Sequence, residues 1–493
     1  MIILGLNSFH ADSSAALFRD GVLIAAAEEE RFRRTKHWAG FPTQSISYCL
    51  QQAGIKLGDV DHIAVNQNSR ANIMGKLQYL MMQRPNPSLI ISRLRNRQAR
   101  AGIRELLAAG FPRDPFRGRV HGIEHHLAHL CSAFQMSPFA QAVVVSVDGF
   151  GDFASAAWGT GEGDRIAVDG RVYFPHSLGV FYQAITQYLG FPHYGDEYKV
   201  MGLAPYGRAT AMNEMRKIVH LEPGGLFALD LTYFRHHKER IAYQWMNDSP
   251  AFDKLFAPAL EDLLGPRRLP VDPLEERHHD IARSAQAMYE EAFFHLIGTL
   301  QRKSQLTDIA LAGGCAMNSV ANGKVRRMTP FRRVYVQAAA GDAGGAIGAA
   351  VAVWHKLGGQ RCFSMDHAYW GPEFGPDDIS KVMAEHRSEI AQAGCVVDDI
   401  VEEAELCRRT AKAIADGKVV GWFQGRMEWG PRALGNRSIV CDPRRADMKA
   451  ILSKKLNRRD RSIAYRGWDL ESSDQISAHT FIHSETIAVR ATR

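Results

Sequence analysis

Ile2-Ile3-Leu4-Gly5-Leu6, Ala15-Ala16-Leu17-Phe18 and Val22-Leu23-Ile24-Ala25-Ala26-Ala27 open the chain, with Arg19-Asp20-Gly21 between the second run and the third. The first run is short and wholly apolar, as a buried strand is. Asp-Gly between two apolar runs closes an antiparallel hairpin, because glycine adopts the left-handed conformation of a tight turn without a steric penalty. Pro42–Gln52 has helical periodicity and His62–Val65 is another short strand. Strand, hairpin, helix, strand is thus the predicted order of a first α/β half. A second start lies at Ala142–Asp148, an apolar strand ending in Asp148-Gly149-Phe150-Gly151-Asp152. Ile281–Gln301 reads as a long amphipathic helix feeding the strand Asp308–Ala312. Ala343–His355 reads as a small-residue helix able to pack closely on a sheet. The duplication is one of architecture, without a close sequence repeat.

Working outward, Lys356–Pro376 is rich in Gly, Pro and aromatics and reads as a linker, with the boundary near residue 360. Glu403–Ala415 (helix), Val419–Phe423 (strand) and the loop Gly425–Asn436 lie beyond it. A chain of 493 residues exceeds one ordinary core, and this division gives domains 1–355 and 365–493. With 46% hydrophobic and 23% charged residues, disorder is excluded. The longest apolar runs fall short of a membrane span, and no basic region precedes the apolar start, which argues against a signal peptide. Seven scattered cysteines, odd in number and never in CxxC spacing, fit a reducing cytoplasm better than a disulfide framework. The net charge of +7 is concentrated: Arg93–Arg119 carries eight arginines against two acids, and Arg426–Arg466 twelve Lys/Arg against four. Such density suits phosphorylated ligands or nucleic acid.

Several stretches carry chemistry. In Glu124-His125-His126-Leu127-Ala128-His129, His125 and His129 are four residues apart, so a helix would stack both imidazoles on one face where they can share a metal. Asp342, in Gly341-Asp342-Ala343-Gly344-Gly345, is a candidate third ligand; its alternative role is helix capping. Asp148 and Gly149 end a strand, where glycine lets a phosphate approach and a carboxylate can hold magnesium. Gly313-Gly314-Cys315-Ala316-Met317-Asn318 is a similar turn, with Asn318 placed to bond a ribose or an acyl group. His10 follows the first strand and could take a proton from an alcohol, and Lys36 could meet a substrate or pair with Glu28–Glu30. In Gly425-Arg426-Met427-Glu428-Trp429-Gly430-Pro431-Arg432-Ala433-Leu434-Gly435-Asn436-Arg437 the glycines and proline shape a loop able to clamp a phosphoryl group with Arg426, Arg432 and Arg437.

In this order the segments resemble the O-carbamoyltransferases of nodulation and antibiotic tailoring. The matching stretches are Phe9–Leu17, Ala27–Phe32, His125–His129, Tyr198–Gly207 and Arg426–Ser438, over about residues 1 to 460. The resemblance implies a duplicated actin-like (ASKHA) ATPase-type α/β domain, akin to tRNA threonylcarbamoyl-transfer enzymes. A smaller YrdC-like α/β domain, akin to threonylcarbamoyl-adenylate synthases, would follow it. It further implies that ATP and carbamoyl phosphate yield carbamoyl adenylate in the smaller domain, with Arg426, Arg432 and Arg437 among the phosphate contacts. Transfer to a small-molecule hydroxyl would follow in the larger domain. There one iron or zinc ion on His125, His129 and Asp342 would anchor the adenylate, Asn318 would touch it, His10 would act as base and Lys36 would stabilise the carbamoyl oxygen. A homodimer is compatible with this reading, whereas membrane and nucleic acid are not its expected partners.

One departure stands out. After Arg459 the family pattern stops, and the expectation is a C-terminally incomplete second domain produced by a frameshift or premature end; a clean reading frame at the locus, with no family-like continuation in another frame, would sink that. Two alternatives remain open at this point: a tRNA-modifying or RNA-binding protein, which salt-sensitive tRNA binding would support, and a degenerate, non-catalytic actin-like binding protein.

Overall fold

The structure is a computed structural model that describes residues 1–83, 102–239, 241, 243–246, 249–445, 447, 448, 451, 489 and 490. The cluster Arg93–Arg119 therefore lies partly, and the stretch after Arg459 almost wholly, outside the described residues. Two compact units comprise Met1–Asp366 and His367–Arg493.

The first half of the larger unit is built from β1 (Ile2–Asn7), β2 (Ser14–Arg19), β3 (Val22–Glu28), α1 (Thr43–Ala53), β4 (His62–Val65) and β5 (Arg119–Gly122). Its sheet runs β3-β2-β1-β4-β5. β1 is antiparallel to β2, with Leu4 opposite Leu17, and parallel to β4, with Leu4 opposite Ile63. A central strand covered on both faces has no use for alternation, which is why β1 is apolar at successive positions: Ile3 and Leu4, on opposite faces, are both buried, as is Leu6.

The second half repeats the plan. It comprises α2 (His125–Phe134), β6 (Gln141–Gly151), β7 (Ala154–Glu162), β8 (Arg165–Tyr173), α3 (Leu178–Tyr188), α4 (Glu197–Leu203), α5 (Glu276–Ser304), β9 (Asp308–Ala312), β10 (Arg333–Val336) and α6 (Gly345–Lys356). Its sheet runs β10-β9-β6-β7-β8, with β6 antiparallel to β7 and parallel to β9. Hairpin on one side of the first strand, parallel strands on the other, twice over, is the actin-like α/β architecture. α5 buries Ile281, Ala285, Met288, Ala292 and Leu296 against this half, at the three- and four-residue spacing of one helical face.

α6 joins the halves. A Cβ on Gly5 would lie 1.9 Å from the Ala346 carbonyl oxygen, and one on Gly348 would lie 1.7 Å from that of Ala128. The small residues of α6 thus let it touch β1 and α2 backbone to backbone. Three elements differ from the sequence expectation. β6 continues past Asp148 to Gly151, α5 is longer at both ends, and the first part of the expected linker is pinned to the larger unit. There Met365 N–H donates to the Met136 carbonyl at 2.8 Å and Arg361 donates to that of Phe139 at 2.6 Å.

In the smaller unit, α7 (Pro376–Glu385), α8 (Arg387–Gln392) and α9 (Glu403–Ala415) precede a hairpin of β11 (Val420–Phe423) and β12 (Arg437–Val440), in which Phe423 faces Arg437. The loop Gly425–Asn436 connects the two strands. Among the described residues no helix is long and apolar enough to cross a membrane.

Candidate functional site

The site begins with the end of a helix. The first N–H groups of α2 lack helical partners, and two carboxylates supply them. Glu124, the capping residue, accepts from His126 N–H at 3.2 Å and Leu127 N–H at 2.8 Å. Asp152 accepts from His125 N–H at 3.0 Å and from Asn68 N–H at 2.7 Å. So anchored, α2 presents His125 and His129 one turn apart on one face, with their Nε2 atoms 3.1 Å from each other. Asp342, at the turn that starts α6, brings Oδ1 to 3.4 Å from His125 Nε2 and 3.7 Å from His129 Nε2.

A fourth group joins them. The ladder between β6 and β7 shifts register between Val147 and Gly151. Asp148, within that irregular stretch, has Oδ2 2.9 Å from His129 Nε2 and 3.7 Å from His125 Nε2. One donor atom from each of His125, His129, Asp148 and Asp342 lies within 4.8 Å of the others. Sequence reasoning assigned Asp148 to a phosphate or magnesium; its neighbours are the histidines.

Charge supports a cation at this point. Burial alone would depress His129, but Asp148 and Asp342 outweigh it and push the imidazole up to about 9. His125 is raised by the same carboxylates against the same burial. Burial would raise Asp148, and the two imidazoles hold it well below the usual carboxylate range instead. Two carboxylates this deep need positive charge, and protons supply it when no metal does. Two imidazoles and two carboxylates with converging atoms suit divalent iron or zinc. The middle histidine of the motif is different. His126 is driven down to about 3 by burial first of all, and its Nδ1 lies 2.9 Å from Ser146 Oγ. It is a neutral core residue.

Glycines shape the surroundings. A Cβ on Gly151 would sit 2.0 Å from His125 Cδ2, whereas one on Gly149 would meet nothing within 4 Å, so the chain is open at Gly149 and closed at Gly151. Gly313 has φ of +86°, and a Cβ there would lie 2.3 Å from the Val147 carbonyl oxygen; one on Gly314 would lie 2.9 Å from Asp148 Oδ1. The turn after β9 therefore lies against the end of β6, as a nucleotide-binding turn requires.

The remaining expected residues divide. His10 packs on the ligands, its ring centroid 5.2 Å from that of His125. Lys36 is exposed; the inward-facing residue is its neighbour His37, with Nδ1 2.7 Å from Asp12 Oδ1. Asn318 and Gln286 bond reciprocally, at 2.9 and 3.1 Å, and Asn318 Oδ1 also caps Ala321 N–H at 3.0 Å. The Asn318 amide thus has partners within the fold.

In the smaller unit the expected clamp separates into unlike parts. Arg437 stacks on Phe423 at 3.6 Å and donates to the carbonyls of Gln424, Gly425 and Asn436. Arg426 donates to the carbonyls of Gly371 and Trp370. Arg432 is exposed on the loop. Three similar residues in the sequence are two internal braces and one surface cation. The anion at the centre of the loop is Glu428, whose Oε1 accepts from Leu434 N–H at 2.8 Å, Asn436 N–H at 2.9 Å and Arg437 N–H at 3.0 Å. Sequence reasoning missed it, as it missed the capping roles of Glu124 and Asp152; the position of Glu124 directly before the helix was the available signal for that one.

Fold and cluster together define an actin-like α/β protein with two imidazoles and two carboxylates converging between its halves, a set that could hold a metal ion. The chain belongs to the carbamoyltransferase family: the model of the carbamoyltransferase N-terminus matches residues 2–351, and that of the C-terminus residues 411–466. An uncharacterized protein of Synechocystis sp. is 38% identical over 93% of this chain and 74% of its own length. Nodulation protein NolNO of Sinorhizobium fredii is 36% identical over 92% of this chain, which spans 62% of that protein. The 3'-hydroxymethylcephem-O-carbamoyltransferase of Streptomyces clavuligerus is 31% identical over 32% of this chain and 28% of its own length.

Proposed function

We propose that the protein is an ATP-dependent O-carbamoyltransferase. In this reading water converts carbamoyl phosphate to carbamate and phosphate, a carbamate oxygen attacks the α-phosphorus of ATP to give carbamoyl adenylate and pyrophosphate, and the carbamoyl group then passes to the hydroxyl of a small molecule with release of AMP. The observation that carries it is the convergence of His125, His129, Asp148 and Asp342 beside His10 and the open turn at Gly149, in a chain of this family. Adenylation turns the poor leaving group of a carbamate into a good one. What remains for the protein is to hold the adenylate and the acceptor in register.

Divalent iron or zinc held by the four side chains would supply a Lewis acid for phosphoryl or carbonyl oxygen. Gly149 and the Gly313–Gly314 turn would let the nucleotide phosphate approach the backbone, and His10 would hydrogen-bond the carbamoyl group. Lys36 would have to swing inward from the surface to reach the carbonyl. The domain roles, adenylate synthesis in 365–493 and transfer in 1–355, belong to the same proposal. Arg426, Arg432 and Arg437 would be among the phosphate contacts of adenylate synthesis, with Arg432 exposed on the loop. The hydroxymethyl group in the name of the cephem relative favours a primary alcohol as acceptor.

The experiment is AMP release from ATP by the full chain, with and without carbamoyl phosphate, across hydroxyl acceptors. Carbamoyl-phosphate-dependent AMP is expected. Its absence with every acceptor would overturn the proposal in favour of a non-catalytic binding role.

A further inference from the structure

One helix of the larger unit, Ile73–Gln83, is apolar on two opposite faces. The inner face is packed. Gly75 lies against the ring of Tyr173, where a Cβ would fall 3.0 Å from Cδ1, and Tyr79 meets Phe153 and Phe174 edge-on, with ring centroids 5.6 and 5.1 Å away. Just ahead of the helix, Asn72 Nδ2 donates to the Asp152 carbonyl at 2.9 Å and to Glu124 Oε1 at 3.3 Å. The helix is thus tied to the two residues that cap α2. The outer face is bare. Ile73, Met74, Leu77 and Met81 are exposed by 55, 78, 47 and 72%. At about 100° per residue all four fall within an arc of about 100°, with Gly75 and Tyr79 on the far side.

Single exposed apolar residues are ordinary, whereas a stripe of four on one anchored helix marks an interaction surface. Its charge setting is equally one-sided. Arg70 is exposed on the turn before the helix. In sequence, the run Arg84 to Arg104 follows directly and carries six arginines with no aspartate or glutamate. The reaction proposed above makes no use of either feature.

Together they select a partner. A second copy of the chain would bring the same arginines to the same face, and like charges oppose such a symmetric pair. A nucleic acid would satisfy the arginines but leave the aliphatic side chains in water, because phosphate and sugar offer nothing for methionine and leucine to pack on. An anionic bilayer surface satisfies both. Apolar side chains enter the boundary of the acyl chains, and arginines lie among the headgroup phosphates. Methionine, unbranched and polarizable, adapts to such an irregular medium. No spanning helix is needed for this, since lying on a membrane takes only an apolar face and positive charge. We propose that the face formed by Ile73, Met74, Leu77 and Met81 docks the protein on an anionic lipid surface. The inference is independent of the transfer reaction.

The test is sedimentation of the full chain with vesicles of phosphatidylcholine alone, or of phosphatidylcholine mixed with phosphatidylserine, at low and high salt. Binding to the mixed vesicles should exceed binding to neutral ones by about tenfold or more and should weaken as salt rises. Met74→Gln, Leu77→Gln and Met81→Gln combined should lower binding to mixed vesicles by about tenfold or more. Glutamine matches methionine and leucine in helix propensity, so the melting temperature should stay that of wild type. Should the triple variant fail to fold, Met74→Gln alone, at the most exposed position, should weaken binding by about threefold. No sedimentation with either vesicle would overturn the proposal, as would a folded triple variant that binds lipid like wild type. Binding to tRNA with none to vesicles would overturn it in favour of a nucleic-acid surface. A wild-type dimer that the triple variant dissolves, without lipid binding, would overturn it in favour of pairing between copies.

Discussion

Adding one methyl group at Gly151 should empty the cation centre while sparing the fold. A Cβ at that position falls 2.0 Å from His125 Cδ2 and 2.1 Å from its Cγ. Carbon atoms rest at about 3.5–4.0 Å, so the imidazole must retreat by about 1.5 Å. Metal–ligand distances tolerate about 0.2 Å, so His125 would be lost as a ligand. The structural cost of such overpacking is about 1–3 kcal/mol, which a domain of this size survives. Gly149→Ala is the matched control, because its Cβ would meet nothing within 4 Å. The assay is metal content by mass spectrometry after loading the purified full chain with iron(II) without air, or with zinc, alongside a thermal melt. Gly151→Ala should fold and bind substoichiometric metal, and Gly149→Ala should match wild type. A folded Gly151→Ala with wild-type metal content would refute the placement of His125 among the ligands.

Three further outcomes follow from the charges and braces described. His129 is raised from 6.5 to about 9, and a raised pKa stabilises the folded state only while the group is protonated. The melting temperature of metal-free protein should thus fall as pH rises from 6.5 through about 9, and loading metal, which displaces the proton, should flatten the slope; a flat metal-free profile would contradict the assigned electrostatics. Glu428→Gln should cost the smaller unit about 1.5–3 kcal/mol, as a charged acceptor of three N–H groups is lost, and amide exchange at Leu434, Asn436 and Arg437 should accelerate. Unchanged exchange there would exclude Glu428 as the organising anion. Arg437→Lys should loosen the β11–β12 hairpin, because lysine can neither stack flat on Phe423 nor reach the same three carbonyls; faster exchange over Val420–Phe423 is the readout.

The first half-domain was legible because its signals are local. An Asp-Gly turn and short apolar runs located β1 to β4, and His62–Val65 and Asp308–Ala312 match strands residue for residue. The spacing of His125 and His129 was equally legible, since one helical turn is a local rule. Asp148 as a ligand was not. Its direction depends on a register shift between β6 and β7, and nothing in Asp-Gly-Phe-Gly-Asp separates a carboxylate aimed at histidines from one aimed at a phosphate. The arginine loop misled for a related reason. A run of glycines and arginines records the donors, but not that the carbonyls of Gln424, Gly425 and Asn436 take up those of Arg437. His37 and Gly195 are far apart in sequence, and only the packing of one on the other shows that they meet.

The contact of α6 with Gly5 and Ala128 limits how the centre could be re-engineered. Carbonyl oxygens already occupy the space that any side chain at Gly5 or Gly348 would need. The wall that carries Asp342 therefore has no slack for a larger ion. Anyone refitting the cavity would have to work instead at the carboxylate of position 148, whose strand shifts register against β7 between Val147 and Gly151.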